Sequence, residues 1–195
     1  MATFDTAQKF VAKWEGGLTD HPDDPGGITN YGVSLRFLKD LAGKKENADA
    51  LERMGVIFPI GPDSIRKLTP DMAASIFRWR FWLVPKLDEF PPLTAIVTYD
   101  ANVNTGTGQS TKFLQRSCNA FEGEKLDVDG LIGPKTRARA MSMLKQDLVL
   151  AEMCIGERES FYKALVADKP SYAPFRAGWL NRTKDLRNLV RGLGA

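Results

Sequence analysis

With 195 residues and a mass of 21.6 kDa, the chain is long enough to bury a substantial core without disulfides or metal staples. Hydrophobic residues at 43% and charged residues at 26% exclude collagen-like, low-complexity and broadly disordered classes, and no apolar run approaches the roughly 20 residues of a membrane-spanning helix. The net charge of +3 is too small to mark a nucleic-acid binder by itself.

In chain order, DTAQKFVAKW predicts a first helix over residues 5–14, with Asp5 or Thr6 as N-cap, Phe10, Val11 and Trp14 on one side, and Gly16-Gly17 as the stop. The string LTDHPDDPGGITNYG, from Leu18 to Gly32, is too rich in Pro, Gly and Asp for helix and predicts turns with one or two short strands. Ser34 caps a second helix whose apolar side holds Leu35, Leu38 and Leu41. A polar connector with a short helical piece follows. Thr69-Pro70 then opens a helix running to Trp82, where Phe77, Trp79, Phe81 and Trp82 are read as core. Pro91-Pro92 opens another through Val103, interrupted over 104–108 before a further helix from about Gln109 to Phe121. Helical patterns then cover 134–168 and 174–192, with Pro170 and Pro174 between them. The expected fold is mainly α, with a small β-hairpin or turn-rich element after the first helix.

Cys118 and Cys154 are far apart with no CxxC, and His21 is the sole histidine, so no zinc cluster is expected and both thiols are read as reduced and buried. The segment from Arg176 to Ala195 sets Arg176, Arg182, Lys184, Arg187 and Arg191 against Asp185, a solvated helix face or one suited to an anionic polymer. KLDVDGLIGPKT, starting at Lys125, lacks the acidic twelfth residue of a calcium loop because Thr136 stands there.

Chemistry concentrates just after the first helix. Glu15 stands at a helix C-terminus beside Trp14, where the dipole and apolar neighbours both disfavour the ionised carboxyl, as suits a general acid. Nine residues on, Asp24 precedes Gly26-Gly27 and Thr29, so a glycine turn could fold a second carboxylate back across from the first. Glycosidic cleavage needs that pair: one group protonates the leaving oxygen, and the other activates water or stabilises the oxocarbenium-like centre. Asp20 and Asp23 precede the turn and are set aside. Asn30 and Tyr31 are candidates for sugar hydroxyl or acetamido contacts, with Asp100 and Asn104 for an opposite wall; each also has an ordinary reading as a cap or core hydrogen bond.

The string EGGL from Glu15 to Leu18, with DPGGITNYGVS from Asp24 to Ser34, resembles glycoside hydrolase family 108, the muramidases of phage endolysins and bacterial secretion systems. VNTG at Val103–Gly106, Leu114-Gln115, DGLIGPKT at Asp129–Thr136 and the pattern Glu157, Arg158, Tyr162, Phe175, Gly178, Trp179 and Arg182 extend the likeness through the peptidoglycan-binding region usual in that family. Leu18, Asn102 and Ser110 depart from its usual pattern.

The resemblance implies a lysozyme-like fold with a catalytic segment at 1–95 and a helical peptidoglycan-binding region at 96–195, expected in one compact body. It implies hydrolysis of the β-1,4 bond between N-acetylmuramic acid and N-acetylglucosamine, with Glu15 as acid. By analogy with phage-type lysozymes, Asp24 and Thr29 complete the site, Asn30 being the alternative to Thr29 for holding water. The competing functions are a lytic transglycosylase and a noncatalytic peptidoglycan-binding module. No metal or cofactor is expected. Peptidoglycan strands are the expected partner of a monomer without nucleic acid or stable membrane insertion. The N-terminus alternates charged and apolar residues where a signal peptide would be uniformly apolar, so synthesis in the host cytoplasm is expected, with release to the cell wall by a holin or an export system.

Overall fold

The computed structural model describes residues 4–20 and 27–195, which divide into two compact units: Val11–Arg80, and residues up to Phe10 together with Phe81–Ala195. The first helix, α1 (Phe4–Trp14), therefore begins in one unit and ends in the other.

In the Val11–Arg80 unit, α1 stops where the two glycines predict. After it come β1 (Thr29–Asn30), β2 (Val33–Ser34), α2 (Leu35–Ala42), α3 (Lys45–Arg53), α4 (Pro62–Arg66) and α5 (Pro70–Phe77). The strands are antiparallel, Thr29 opposite Ser34 and Asn30 opposite Val33. Local caps were readable: the Ser34 hydroxyl accepts from the Phe37 amide at 3.2 Å, and the Thr69 hydroxyl from the Met72 amide at 3.2 Å. Val11, Val33, Leu38, Leu51, Ile65 and Ile76 form its buried interior. The connector holds two helices, α3 and α4, where the sequence predicted one short piece. The aromatic run continues past α5 as a wider π-helical turn, Arg78–Leu83, with Phe77, Phe81 and Trp82 buried as expected and Trp79 only half-buried.

The other unit is built on α6 (Pro92–Thr105), whose residues from Leu93 to Asn102 are all buried, so it is covered on every side. Packed with it are α7 (Thr107–Asn119), α9 (Asp147–Asp168) and α10 (Arg176–Gly194), with α8 (Pro134–Met141) against α7. Two prolines start α6 and supply no side-chain cap. The cap comes instead from Asp147 at the head of α9, whose carboxylate accepts from the Leu93 and Thr94 amides at 2.7 and 2.8 Å. Where the sequence predicted a break over 104–108, Gly106 alone separates α6 from α7. The Ser110 hydroxyl bonds the Thr98 carbonyl at 3.1 Å, joining the two helices across that break. The Pro170–Phe175 segment is a 3-10 helix leading directly into α10.

Two motif pieces meet in this unit. The Gln115 amide donates to Asp129 at 2.7 Å and accepts from the Gly130 amide at 3.0 Å, which fixes the DGLIGPKT loop on α7. Within the basic surplus of α10, Arg182 is buried, Arg187 forms a two-pronged pair with Glu159 at 2.9 and 3.1 Å, and the exposed Arg191 pairs with Glu152, while Arg176 and Lys184 are exposed as a solvated face would have them. Three of its five cations thus stitch α10 to its neighbours.

Both cysteines are free and buried. Burial pushes the Cys118 thiol up to about 11 and the Cys154 thiol up to about 12. Neither should react with a water-soluble disulfide reagent at pH 8 in the folded protein, while a denaturant should release two thiols per chain, counted by absorbance.

Candidate active site

Glu15 directly follows the last residue of α1, and its amide still bonds the Val11 carbonyl at 3.0 Å, so the side chain leaves from the final helical turn. It is half-buried. Trp14 beside it is also half-buried, with Lys13 over its ring, and its indole N–H has no hydrogen-bond partner among the described residues.

The chain then folds back. Thr19 and Thr29 exchange two backbone hydrogen bonds, at 2.8 and 2.9 Å, which places Thr19 beside β1 as a third short extended segment. The two-residue turn between β1 and β2, Tyr31-Gly32, has φ of +50° and +79°; two positive values in succession are the signature of a type I′ hairpin. Gly32 satisfies this without strain, and it also lies against Glu15. A Cβ added there would sit 2.8 Å from Oε2 and 2.9 Å from Cγ of Glu15. The hairpin turn is therefore the wall against which the carboxyl rests, and only a glycine allows the approach.

The strand alternation separates the two residues left open for holding water. Thr29 is half-buried, its hydroxyl donating to the Gly27 carbonyl at 3.2 Å. Asn30 is 5% exposed, and its amide donates to the Ile65 carbonyl at 3.1 Å and the Leu68 carbonyl at 3.5 Å. Asn30 thus ties the hairpin to α4 and the residues after it; the expectation that it contacts sugar is corrected. Tyr31, at the hairpin tip, is 38% exposed in a left-handed conformation that a bulky residue rarely adopts. Asp24 lies outside the described residues, midway in sequence between the paired Thr19 and Thr29.

The other two candidates belong to the other unit. Asp100 is 0% exposed, and its carboxylate accepts from Arg158 Nη1 and from Arg182 Nε and Nη2, the last two at 2.9 and 2.7 Å. Burial alone would raise this carboxyl, yet the two guanidiniums overcome it and hold it below the usual carboxylate range. Asp100 is a centre of the interior, not a wall for substrate. Arg158 Nε donates to the Tyr162 hydroxyl, which donates to Asn104, and Tyr162 stacks on Trp179 with ring centres 4.9 Å apart. Arg158, Tyr162, Trp179 and Arg182 of the distal sequence pattern thus meet in one polar-aromatic cluster. Asn104 is exposed beyond it.

Gly32 was missed by sequence reasoning as a neighbour of Glu15. The signal was present, since a Tyr-Gly pair between two strand-forming dipeptides is a hairpin turn.

The family described as Glycosyl hydrolase 108 matches residues 8–106, and one described as Predicted Peptidoglycan domain matches residues 109–184. Among solved structures, that of Brucella abortus SagA is similar over 97% of this chain and 94% of its own, with a TM-score of 0.73 and 26% identity. No curated protein matches the chain. The helical architecture with its hairpin after the first helix is lysozyme-like.

Proposed function

The chain belongs to the glycosyl hydrolase 108 family, and from that premise we propose that Glu15 is the acid with which it opens the glycan strand. The protein is a glycoside hydrolase whose substrate is peptidoglycan, cleaved at the β-1,4 bond between N-acetylmuramic acid and N-acetylglucosamine. The observation that carries the role of Glu15 is its carboxyl, presented from the last turn of α1 against the turn at Gly32.

In the proposed reaction, the Glu15 carboxyl gives its proton to the glycosidic oxygen as the bond to the muramic acid anomeric carbon breaks. Asp24 stabilises the positive ring or acts as base, and Thr29 holds a water whose oxygen bonds the anomeric carbon while its proton passes to Asp24 or back to the Glu15 carboxylate, giving the new reducing end. Tyr31 and Asn104 are assigned to substrate contact. Residues 1–95 are assigned to catalysis and 96–195 to holding the polymer, working as a monomer. Action at the cell wall, in phage-driven host lysis or a secretion-linked role, would bring in a holin or a dedicated export system as partner. Among the described residues no helix is long and apolar enough to cross a membrane.

Digestion of purified peptidoglycan followed by mass spectrometry tests the reaction. New reducing muramic acid ends are expected, whereas anhydromuramic ends would mark ring closure without water and overturn hydrolysis. The wall behind the acid supplies a second test. Gly32→Ala should lower kcat by about a hundredfold, because displacement of a reacting group by an ångström costs that much. The left-handed backbone adds a stability cost of about 1–2 kcal/mol, readable in a thermal melt. A variant that melts earlier yet turns over normally would show that Gly32 serves the turn alone.

A further inference from the structure

Between the end of α7 and the end of α8 lies a pocket of about 390 Å³, lined by Phe121, Glu122, Arg139, Ser142, Met143 and Gln146. Its volume falls in the range that holds small ligands. It sits within the residues matched as a peptidoglycan domain and uses no group of the proposed hydrolysis.

Arg139 is fixed in place before any ligand arrives. One guanidinium nitrogen donates to the Glu122 carbonyl. Gly123, at φ of +111°, passes so close beneath that a Cβ there would be 3.2 Å from Nη1. Met143, 3% exposed, gives the pocket an apolar floor, and the half-buried Phe121 ring forms one side. Arg139 is only half-buried, and a guanidinium edge is shaped to receive a carboxylate. Ser142 Oγ, already donating to the Arg139 carbonyl at 2.7 Å, retains lone pairs that can accept an amide N–H. Phe121 and Met143 suit short apolar side chains.

We propose that this pocket binds a carboxylate-bearing segment of the peptide stem of peptidoglycan, with Arg139 on the carboxylate. The proposal rests on peptidoglycan being the substrate. Of the two parts of that polymer, the sugars of the backbone offer hydroxyl and acetamido groups, whereas the stem carries free carboxylates. The exposed Glu122 at the rim disfavours a purely anionic ligand and favours a stem residue that carries an ammonium beside its carboxylate. The pocket thereby gives the region a means of telling peptide-substituted glycan from bare glycan.

Calorimetric titration of the full chain with a soluble stem tetrapeptide tests this, alongside the same peptide with its carboxylates amidated. The wild type should bind the free acid, with about tenfold or greater loss on amidation and in Arg139→Gln. Gln146→Trp, at an exposed position, should block the pocket without disturbing the core; circular dichroism checks the fold of both variants. Failure of the wild type to bind the tetrapeptide, or equal binding by both variants, overturns the pocket while leaving hydrolysis standing. Failure of every form to cut either glycan would instead overturn the hydrolase reading.

Discussion

Glu15→Gln should reduce turnover on purified peptidoglycan by about 10²–10⁴-fold while the fold and wall binding persist. The amide keeps the size of the carboxyl and its place at the end of α1, so the approach of Gly32 is undisturbed. What it lacks is the acidic proton for the leaving oxygen, and at a helix C-terminus the lost charge was unfavourable to the fold in any case. Release of reducing ends measures the first effect; far-UV melting and co-sedimentation with cell walls measure the others. Asp24→Asn run in parallel should fall less steeply if that group only steadies charge or water. A Glu15→Gln protein that cuts at the wild-type rate would remove the proposed acid from the mechanism.

Asp100→Ala should be the most destabilising single substitution, by about 3–5 kcal/mol, because it leaves two buried guanidiniums without their counter-ion. For a chain of this size that corresponds to a drop in melting temperature of roughly 6–20 °C. Arg158→Met should be milder, since it leaves Asp100 paired with Arg182. The pH dependence follows from the lowered carboxyl. The unfolded aspartate titrates near about 3.9, and the folded one lower, so the stabilisation is complete above the first value and fades as pH falls through the second. The wild type should therefore lose stability more steeply below about pH 4 than Asp100→Ala, as denaturant unfolding at pH 7 and pH 3 would record.

These two aspartyl and glutamyl positions show what was legible in the chain. Glu15 was readable because its setting is local: an amphipathic helix, an aromatic neighbour and two glycines that stop the helix. The caps at Ser34 and Thr69 were readable for the same reason, each acting on an amide three residues on. Asp100 was left open between a substrate wall and a core hydrogen bond because its partners stand 58 and 82 residues away. Asn30 was left open likewise, its amide answering carbonyls on a helix that begins only at Pro62 and just beyond it. The ion pairs of α10 were not legible because nothing in its own sequence names Glu152 and Glu159 as companions. The single-residue break at Gly106 was overestimated, since Ser110 and Thr98 hold the two helices together where local propensity was weak. The cap on α6 is equally remote, coming from Asp147.

The division of α1 between the two units sets an order of assembly during translation. Phe4 packs edge-on against Trp82 and Tyr99, and Gln8 meets the Tyr99 hydroxyl 91 residues downstream. The first turns of α1 therefore wait for a later-synthesised stretch to emerge from the ribosome, whereas Val11–Arg80 is continuous and meets its own neighbours early. Residues made earlier thus find their places later, and a nascent chain halted before Tyr99 would carry the acid on a helix whose first turn lacks its partners.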